Sequence, residues 1–253
     1  MPAPSSRPVK KTHNTKPHRC VFLFDVDNTL LNNDRVTEDL RHFLIREFGA
    51  ERQKRYWTIY EQLRSELGYA DYLGALQRYR AENQRDPRFL TMSRFMMNYP
   101  FAKRVYPHAI DVIEHFEHWG PCVILSDGDV VFQPRKIDHS GLGHAVHENV
   151  LVYLHKEHEL DDVESRFPSE HYVLIDDKLR ILAAIKKIWR DRVTTVFVRQ
   201  GHYALDTKII AKYPPADVTV NRIGDLLKFD FQKLRAGKMT KMESKARLAM
   251  AGA

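Results

Sequence analysis

The feature that most constrains this fold is the regular alternation of short apolar runs with helical patterns after Pro107. An apolar run at residues 20–24 predicts one further strand near the start of the chain. Strands that alternate with helices form βαβ units, which build parallel sheets with right-handed crossovers. We therefore predict an α/β fold with a doubly wound parallel sheet. The later strands are predicted at residues 122–126, 150–154, 171–176, 194–199 and 217–221, and the later helices at residues 108–119, 130–139, 157–166, 178–189, 203–212 and 223–229.

Residues 35–103 have a different pattern, because no run typical of a strand occurs there. Apolar residues from Leu40 to Phe48 follow helical spacing, with Thr37 as the predicted N-cap and Gly49 as the predicted end. Three more helices are predicted at residues 51–67, 69–83 and 88–99. The block is therefore predicted to be an all-helical insertion within the sheet domain.

These patterns divide the chain into four predicted parts. The α/β core is predicted from residues 20–34 and 104–230, the helical insertion from residues 35–103, and two basic tails from residues 1–19 and 231–253. The first tail is rich in Pro, Ser and Lys and is predicted to be disordered.

The net charge of +7 lies mainly near the two ends of the chain. Residues 1–20 hold five basic and no acidic residues, and residues 228–253 hold seven basic and two acidic residues. A protein that reads nucleic acid usually carries its positive charge on the folded surface. Nucleic acid is therefore not the expected partner, and weak attraction of the tails to polyanions is the alternative.

Cysteine content and hydropathy indicate a cytoplasmic protein. Cys20 and Cys122 form no CxxC pair, so the sequence predicts neither a disulfide framework nor a thiolate metal site. No apolar run approaches the roughly 18 residues of a membrane span. No apolar segment precedes Cys20, so we expect no secretory signal and no membrane partner. The sequence does not predict an oligomeric state.

Polar residues follow four of the predicted strands. Ligands of open α/β sheets bind beyond the carboxyl ends of the strands, so these side chains are expected to share one site. A polar residue can simply end a strand, but four strand ends with complementary chemistry favour a site. In strand order, the residues are Asp25 and Asp27, then Ser126 and Asp127, then His155 and Lys156, then Asp176 and Asp177.

This set of groups suits phosphoryl transfer. Clustered carboxylates repel one another unless a cation lies among them, and an all-oxygen ligand set favours Mg²⁺. One ionised aspartate can attack phosphorus, and a second can transfer the proton. A lysine and a hydroxyl can hold the remaining phosphate oxygens.

The same motifs resemble those of the haloacid dehalogenase (HAD) superfamily. "DVDNT" at residues 25–29 matches the first motif, DxDxT, and Ser126 matches the second. Lys156 matches the third, and "IDD" at residues 175–177 matches the acidic fourth motif. The motifs occur in the expected order across residues 20–221, which is most of the chain.

The resemblance implies different roles for the aspartates. Asp25 would be the nucleophile and a Mg²⁺ ligand. Asp27 would be the general acid and base, and its backbone carbonyl would also bind Mg²⁺. Asp177 would complete the metal site, directly or through water, with Asp176 assisting, although the motif leaves open which of the two touches the metal.

The resemblance also implies a phosphate-binding set. Ser126 and the backbone N–H of Asp127 would bind the phosphoryl group, and Lys156 would stabilise Asp25 and the phosphate. Glu157 follows Lys156 where many relatives have Pro. For this reason Lys136 and Lys178 are kept as alternatives for the functional lysine.

The helical block at residues 35–103 resembles a C1 cap, which in the superfamily closes over the site and selects the substrate. Members that act on carbon–halogen bonds lack the second aspartate, so Asp27 favours the phosphatase or phosphomutase branch. The resemblance thus implies Mg²⁺-dependent hydrolysis of a small phosphorylated substrate through an aspartyl-phosphate. The alternatives are a phosphomutase and a polynucleotide phosphatase that binds through basic tails.

Overall fold

The computed structural model of the chain describes residues 17–229. The two predicted tails, residues 1–19 and 231–253, therefore lie almost entirely outside the described residues. At the edge of the first tail, His18 donates its backbone N–H to Pro168 O at 2.8 Å and accepts from Glu170 N at 2.9 Å. The chain is thus attached to the core two residues before the predicted boundary.

Within residues 17–229, six strands form one parallel sheet in the order β3-β2-β1-β4-β5-β6. They are β1 Val21–Phe24, β2 Cys122–Asp127, β3 Val150–Tyr153, β4 Tyr172–Asp176, β5 Val193–Val198 and β6 Val218–Val220. The chain builds outward from β1 in one direction and then returns to add β4 on its other side. This order confirms the predicted doubly wound sheet and leaves a crevice beyond the carboxyl ends of β1 and β4.

Helices make up most of the remaining described structure. The α-helices are α1 Asn33–Phe48, α2 Ala50–Leu67, α3 Tyr72–Glu82, α4 Phe89–Met97, α5 Ala109–Glu117, α6 Phe132–Ser140, α7 Leu142–Ala145, α8 Leu160–Arg166, α9 Leu179–Trp189, α10 Gly201–Leu205 and α11 Thr207–Ile210. Short 3-10 helices occur at Phe101–Arg104, Lys156–His158, Arg190–Arg192 and Ile223–Lys228. Within residues 17–229, no helix is both long and apolar enough to cross a membrane.

The sheet is buried on both faces, as expected for parallel strands. On one face, Phe22 of β1 stacks on Phe116 of α5, with ring centroids 4.7 Å apart. On the other face, Leu23 belongs to a separate apolar cluster that includes Ile181 and Ile185 of α9. The alternation along β1 therefore supplies both cores and holds its carboxyl end between them.

The first helix begins four residues before the predicted N-cap. Asn32 is the N-cap, and its side chain accepts from Arg35 N at 2.9 Å. The prediction of Thr37 as N-cap was wrong because Asn32 caps a free N–H group, that of Arg35, at an earlier start of the helix. The Thr37 hydroxyl lies instead 2.9 Å from the Tyr72 hydroxyl.

Two other predicted helices are interrupted. The helix predicted at residues 157–166 is a 3-10 turn followed by α8. The helix predicted at residues 203–212 is divided into α10 and α11 by Asp206, whose side chain accepts from the N–H groups of Lys208 and Ile209. Asp206 thus ends one helix and caps the next, which a hydrophobic pattern alone does not reveal.

Between β1 and β2 the described chain is helical, with no strand. The segment leaves and re-enters the sheet domain at paired connections. Asn32 N donates to Arg104 O at 2.7 Å, and Tyr106 N donates to Leu30 O at 2.8 Å. Both connections lie a few residues from Asp27, so the helical segment begins and ends beside the predicted site.

Candidate active site

Asp25 directly follows β1 and is buried. Its backbone N–H donates to Ile175 O at 2.9 Å, which extends the pairing of β1 with β4 by one residue. Its Oδ1 lies 2.6 Å from Lys156 Nζ, and its Oδ2 accepts from Thr29 Oγ1 at 3.1 Å. Both oxygens have a donor, so the orientation of this carboxylate is fixed.

A tight turn follows Asp25 and positions Asp27. Asn28 has φ 63°, in the left-handed region that asparagine tolerates. Its side-chain amide donates to Asp34 Oδ1 at 2.9 Å, and its Oδ1 accepts from the Asp34 backbone N–H at 3.1 Å. Gly201 of α10 lies against the turn, since a Cβ at position 201 would be 2.4 Å from Asn28 Cβ. The loop after β5 therefore supports the turn that carries Asp27.

Lys156 lies at the centre of the buried cluster, with its side chain fully enclosed. Its Nζ is 2.6 Å from Asp25 Oδ1 and 2.7 Å from Asp176 Oδ2, and it donates to Leu125 O at 3.1 Å. Burial lowers the pKa of a lysine, but Asp176 and Asp25 outweigh it and raise the pKa of Lys156. The ammonium thus links the ends of β1, β2 and β4.

Three buried carboxylates meet beside Lys156. One oxygen from each of Asp25, Asp176 and Asp177 lies within 4.8 Å of the other two. Both oxygens of Asp177 are buried, and neither has a hydrogen-bond partner in the described part of the chain. A buried carboxylate without donors, such as Asp177, is energetically costly, and three buried carboxylates at this spacing fit a hard divalent cation with oxygen ligands. The residues present therefore suit Mg²⁺.

The pKa values of these three carboxyl groups diverge. Burial opposes ionisation of Asp25, but Lys156 and Lys178 hold its pKa below its usual range. Burial raises the pKa of Asp176 to about 6, with Lys156 acting in the opposite direction. Burial raises the pKa of Asp177 well above its usual range. The protein alone thus favours the charged form of Asp25 and disfavours that of Asp177.

At the end of β2, Ser126 and Asp127 have different partners. The buried Ser126 hydroxyl accepts from Gln133 Nε2 of α6 at 2.9 Å. The Asp127 side chain accepts from the backbone N–H of Lys156 at 2.7 Å, which holds the loop after β3. Burial raises the pKa of Asp127. Ser126 is therefore placed to donate its own hydroxyl proton beyond the strand end.

Asp27 is not part of the buried cluster and pairs with a second lysine. Lys136 Nζ of α6 lies 2.7 Å from Asp27 Oδ1 and 2.9 Å from Oδ2. The same ammonium donates to Asn33 Oδ1 of α1 at 3.0 Å. The lysine side chain is 1% exposed, whereas that of Asp27 is 20% exposed.

A cavity of about 840 Å³ separates the helical segment from the sheet edge. The sheet side contributes Asp27, Asp127 and Lys178, and α2 contributes Trp57 and Tyr60. The cavity thus combines polar groups at the strand ends with aromatic surface from the helical segment, as ligand cavities commonly do.

The structure brings the predicted residues to one edge of the sheet. Asp25, Lys156, Asp176 and Asp177 form the buried cluster, and Ser126 is the last residue but one of β2, the strand beside β1. Asp27 and Asp127 line the cavity. Of the candidate lysines, Lys156 donates to Asp25, whereas Lys136 donates to Asp27.

Sequence reasoning missed Thr29 and Gln133 and did not foresee the contact between Lys136 and Asp27. The sequence does contain a signal for Gln133 and Lys136. These two residues lie three apart on α6, on the face that also buries Ile137, and buried polar side chains need a hydrogen-bond partner. The partner itself comes from a distant part of the chain.

Known proteins support this reading of the fold and the motifs. The haloacid dehalogenase-like hydrolase family matches residues 21–188. A solved structure from Burkholderia xenovorans LB400, described as a haloacid dehalogenase-like hydrolase, is 64% identical, with a TM-score of 0.82. The match covers 85% of this chain and all of that one. No curated protein matches the chain.

More distant structures share the fold alone. An L-2-haloacid dehalogenase from Xanthobacter autotrophicus is 16% identical, with a TM-score of 0.55 over 83% of this chain and 97% of that one. The HAD-hydrolase YfnB from Bacillus subtilis, bound to magnesium, is 15% identical, with a TM-score of 0.55 over 84% of this chain and 98% of that one. With the family match across two thirds of its length, this chain belongs to the haloacid dehalogenase-like hydrolases.

Proposed function

We propose that this chain is a Mg²⁺-dependent phosphatase that hydrolyses a small phosphomonoester through an aspartyl-phosphate on Asp25. One observation supports the proposal most directly. Asp177 is buried beside Asp25 and Asp176 without a hydrogen-bond donor in residues 17–229 for either of its oxygens. A divalent cation would compensate this unpaired charge and would lie next to the nucleophile.

Asp25, Asp176 and Asp177 are the side chains that would hold Mg²⁺. Asp177 is the better candidate for direct contact, because Asp176 is engaged by Lys156 and by the backbone N–H of Lys178 at 2.7 Å. When bound, Mg²⁺ would neutralise phosphate oxygens and make phosphorus more open to attack.

In the first half-reaction, an Asp25 oxygen forms a bond to phosphorus as the bond to the leaving oxygen breaks. Thr29 and Lys156 hold the Asp25 carboxylate in its ionised, attacking form. A protonated Asp27 gives its proton to the leaving oxygen. The alcohol departs, and the phosphoryl group remains on Asp25.

In the second half-reaction, Asp27 takes a proton from water. The water oxygen forms a bond to phosphorus while the bond from phosphorus to Asp25 breaks. Inorganic phosphate leaves, and Asp25 returns to its carboxylate form. Ser126 provides a donor for a phosphate oxygen, and the positive charge of Lys156 stabilises the negative charge of the phosphate in both halves.

Asp27 supports an ester substrate rather than a carbon–halogen bond. An alkoxide leaves poorly unless it receives a proton, whereas a halide leaves as a stable anion. An aspartate that borders the cavity two residues after the nucleophile serves the first reaction and is not needed for the second. The cavity volume of about 840 Å³ favours a small-molecule substrate over a polymer.

The proposal is tested by assaying the purified chain against a panel of phosphomonoesters that includes p-nitrophenyl phosphate. We expect phosphate release with Mg²⁺, its loss with EDTA and its recovery when Mg²⁺ is restored. L-2-chloropropionate serves as the counter-substrate. Halide release without phosphate release, or no phosphate release from any ester with Mg²⁺, would overturn the proposal.

A further inference from the structure

Lys136 is a buried cation outside the cluster around Asp25. Its side chain is 1% exposed, and its ammonium has three acceptors, namely the two oxygens of Asp27 and Asn33 Oδ1. An ammonium has three N–H donors, so every donor of Lys136 is used. Its position is therefore fixed by the hydrogen bonds that it donates to two separate segments, the turn after β1 and the start of α1.

The two members of the Lys136–Asp27 pair lie at different depths in the protein. Asp27 is 20% exposed and lines the cavity, while Lys136 lies behind it and contacts it from the protein interior. In residues 17–229, both hydrogen bonds that the Asp27 carboxylate accepts come from this one lysine. The carboxylate is thus held from one side and presented to the cavity on the other.

Stability alone is a weak reason for a lysine at this position. Enclosing a charged amine is costly, and a well-packed apolar residue of similar volume often stabilises a protein equally well. Phe132 and Ile137 are buried neighbours on α6, so an apolar side chain would suit this face of the helix. The contact is better explained by what it does to Asp27.

We infer that Lys136 is a positioning residue that aims the Asp27 carboxylate at the leaving oxygen and at the attacking water. The inference rests on the proposed phosphatase function. When Asp27 carries the catalytic proton, one oxygen holds that proton and the other still accepts from Lys136. When Asp27 is ionised, both oxygens accept. Lys136 acts only on the orientation of its partner.

The leaving group provides a test of this role. Phenyl phosphate and p-nitrophenyl phosphate are nearly the same size, but phenolate needs protonation more than p-nitrophenolate does. In Lys136→Met we expect kcat/KM to fall roughly 100-fold for phenyl phosphate and less than about tenfold for p-nitrophenyl phosphate. Asp27→Asn is expected to show the same selectivity, because it removes the acid itself.

Matched controls separate a positioning role from general damage. Lys187→Met makes the same chemical change at an exposed position of α9 and is expected to leave both kcat/KM values unchanged. Thermal melting verifies folding, which Met should permit because it is unbranched and adaptable. If Lys136→Met fails to fold, Lys136→Gln is used instead, because its side-chain amide keeps an NH₂ donor. The same comparison of kcat/KM for the two substrates is then made.

The outcomes are distinct. Equal losses on both substrates, or no loss on either, in a folded Lys136 variant would overturn the inference while the proposed function stands. An inactive wild-type protein with both esters and Mg²⁺ would instead remove the proposed function and this inference with it. A selective loss on phenyl phosphate that Lys187→Met does not share supports the inference.

Discussion

The two aspartates of the turn after β1 lie two residues apart but have contrasting surroundings. Asp25 is buried, and its pKa is held below its usual range by Lys156 and Lys178 against the effect of burial. Asp27 is partly exposed, lines the cavity and is held by Lys136 alone within the described residues. The difference shows how one short motif can supply two chemical roles, because the surroundings rather than the residue type set each role.

The largest effect is expected at the enclosed member of the pair. Asp25→Asn should lower turnover roughly 10⁴-fold or more, because no other residue replaces the attacking oxygen. Intact-mass measurement after mixing with substrate should show no phosphorylated protein. Asp191→Asn, at an exposed position, is the matched control and should keep full activity. Substantial turnover by Asp25→Asn would remove Asp25 as the nucleophile.

A smaller and qualitatively different loss is expected at the exposed member. Asp27→Asn should reduce steady-state turnover roughly 10²- to 10⁴-fold, because water is no longer activated. With p-nitrophenyl phosphate, a burst of about one p-nitrophenolate per enzyme should precede this slow phase, since the first half-reaction needs little acid. Rapid-mixing absorbance measures the burst. If the two Asn variants behave alike, the division of roles is wrong.

A substitution of Asp177 tests metal binding separately, because it leaves the proposed nucleophile Asp25 unchanged. In Asp177→Asn, we expect the Mg²⁺ concentration for half-maximal activity to rise at least 10- to 100-fold. Thermal melting provides a second measurement. Without metal, the variant should melt no lower than wild type, because it loses a buried carboxyl group whose two oxygens have no hydrogen-bond donor in residues 17–229. Added Mg²⁺ should raise the melting temperature of wild type and not of the variant. Equal stabilisation of both would contradict a metal at Asp177.

The two lysines should differ in their effect on stability. Lys156→Met leaves Asp25 and Asp176 as buried carboxylates without their cation and should cost about 3–5 kcal/mol of unfolding free energy. Lys136→Met should cost less than about 2 kcal/mol, because water can replace the ammonium at the partly exposed Asp27. Urea denaturation in the absence of metal measures both. Equal costs would mean that the two environments are not as different as the exposures indicate.

The smallest effect is expected at Gln133. In Gln133→Leu, the Ser126 hydroxyl loses its donor and becomes free to rotate. We expect KM to rise about 2- to 10-fold with kcat nearly unchanged, which corresponds to one ordinary hydrogen bond. Steady-state kinetics with p-nitrophenyl phosphate decides the point. An equal fall in kcat would instead place Gln133 in the chemical step.

The strands and the grouping of the site residues were predicted from the pattern of apolar residues and from one rule of sheet topology. Apolar runs identified the strands, and the carboxyl ends of parallel strands must share an edge, so Asp25, Ser126, Lys156 and the Asp176–Asp177 pair were expected together. The structure places them there. Their chemical roles remain proposals.

The rest depended on information that a single sequence does not contain. Lys136 is 109 residues from Asp27, and the helix pattern does not fix which acceptor its ammonium reaches. Asn32 displaced Thr37 as the N-cap because both are good capping residues and only the path of the chain selects between them. The choice of hydrogen-bond partner for each polar group therefore depends on three-dimensional packing.

The close contact between Gly201 and Asn28 has a consequence for anyone who diversifies this enzyme. Gly201 lies more than 170 residues along the chain from the aspartates. Yet it has φ 72°, and any side chain there would collide with Asn28 in the turn between Asp27 and Thr29. A mutant library that seeks new substrates should therefore keep position 201 constant and place its variation on the cavity face of α2.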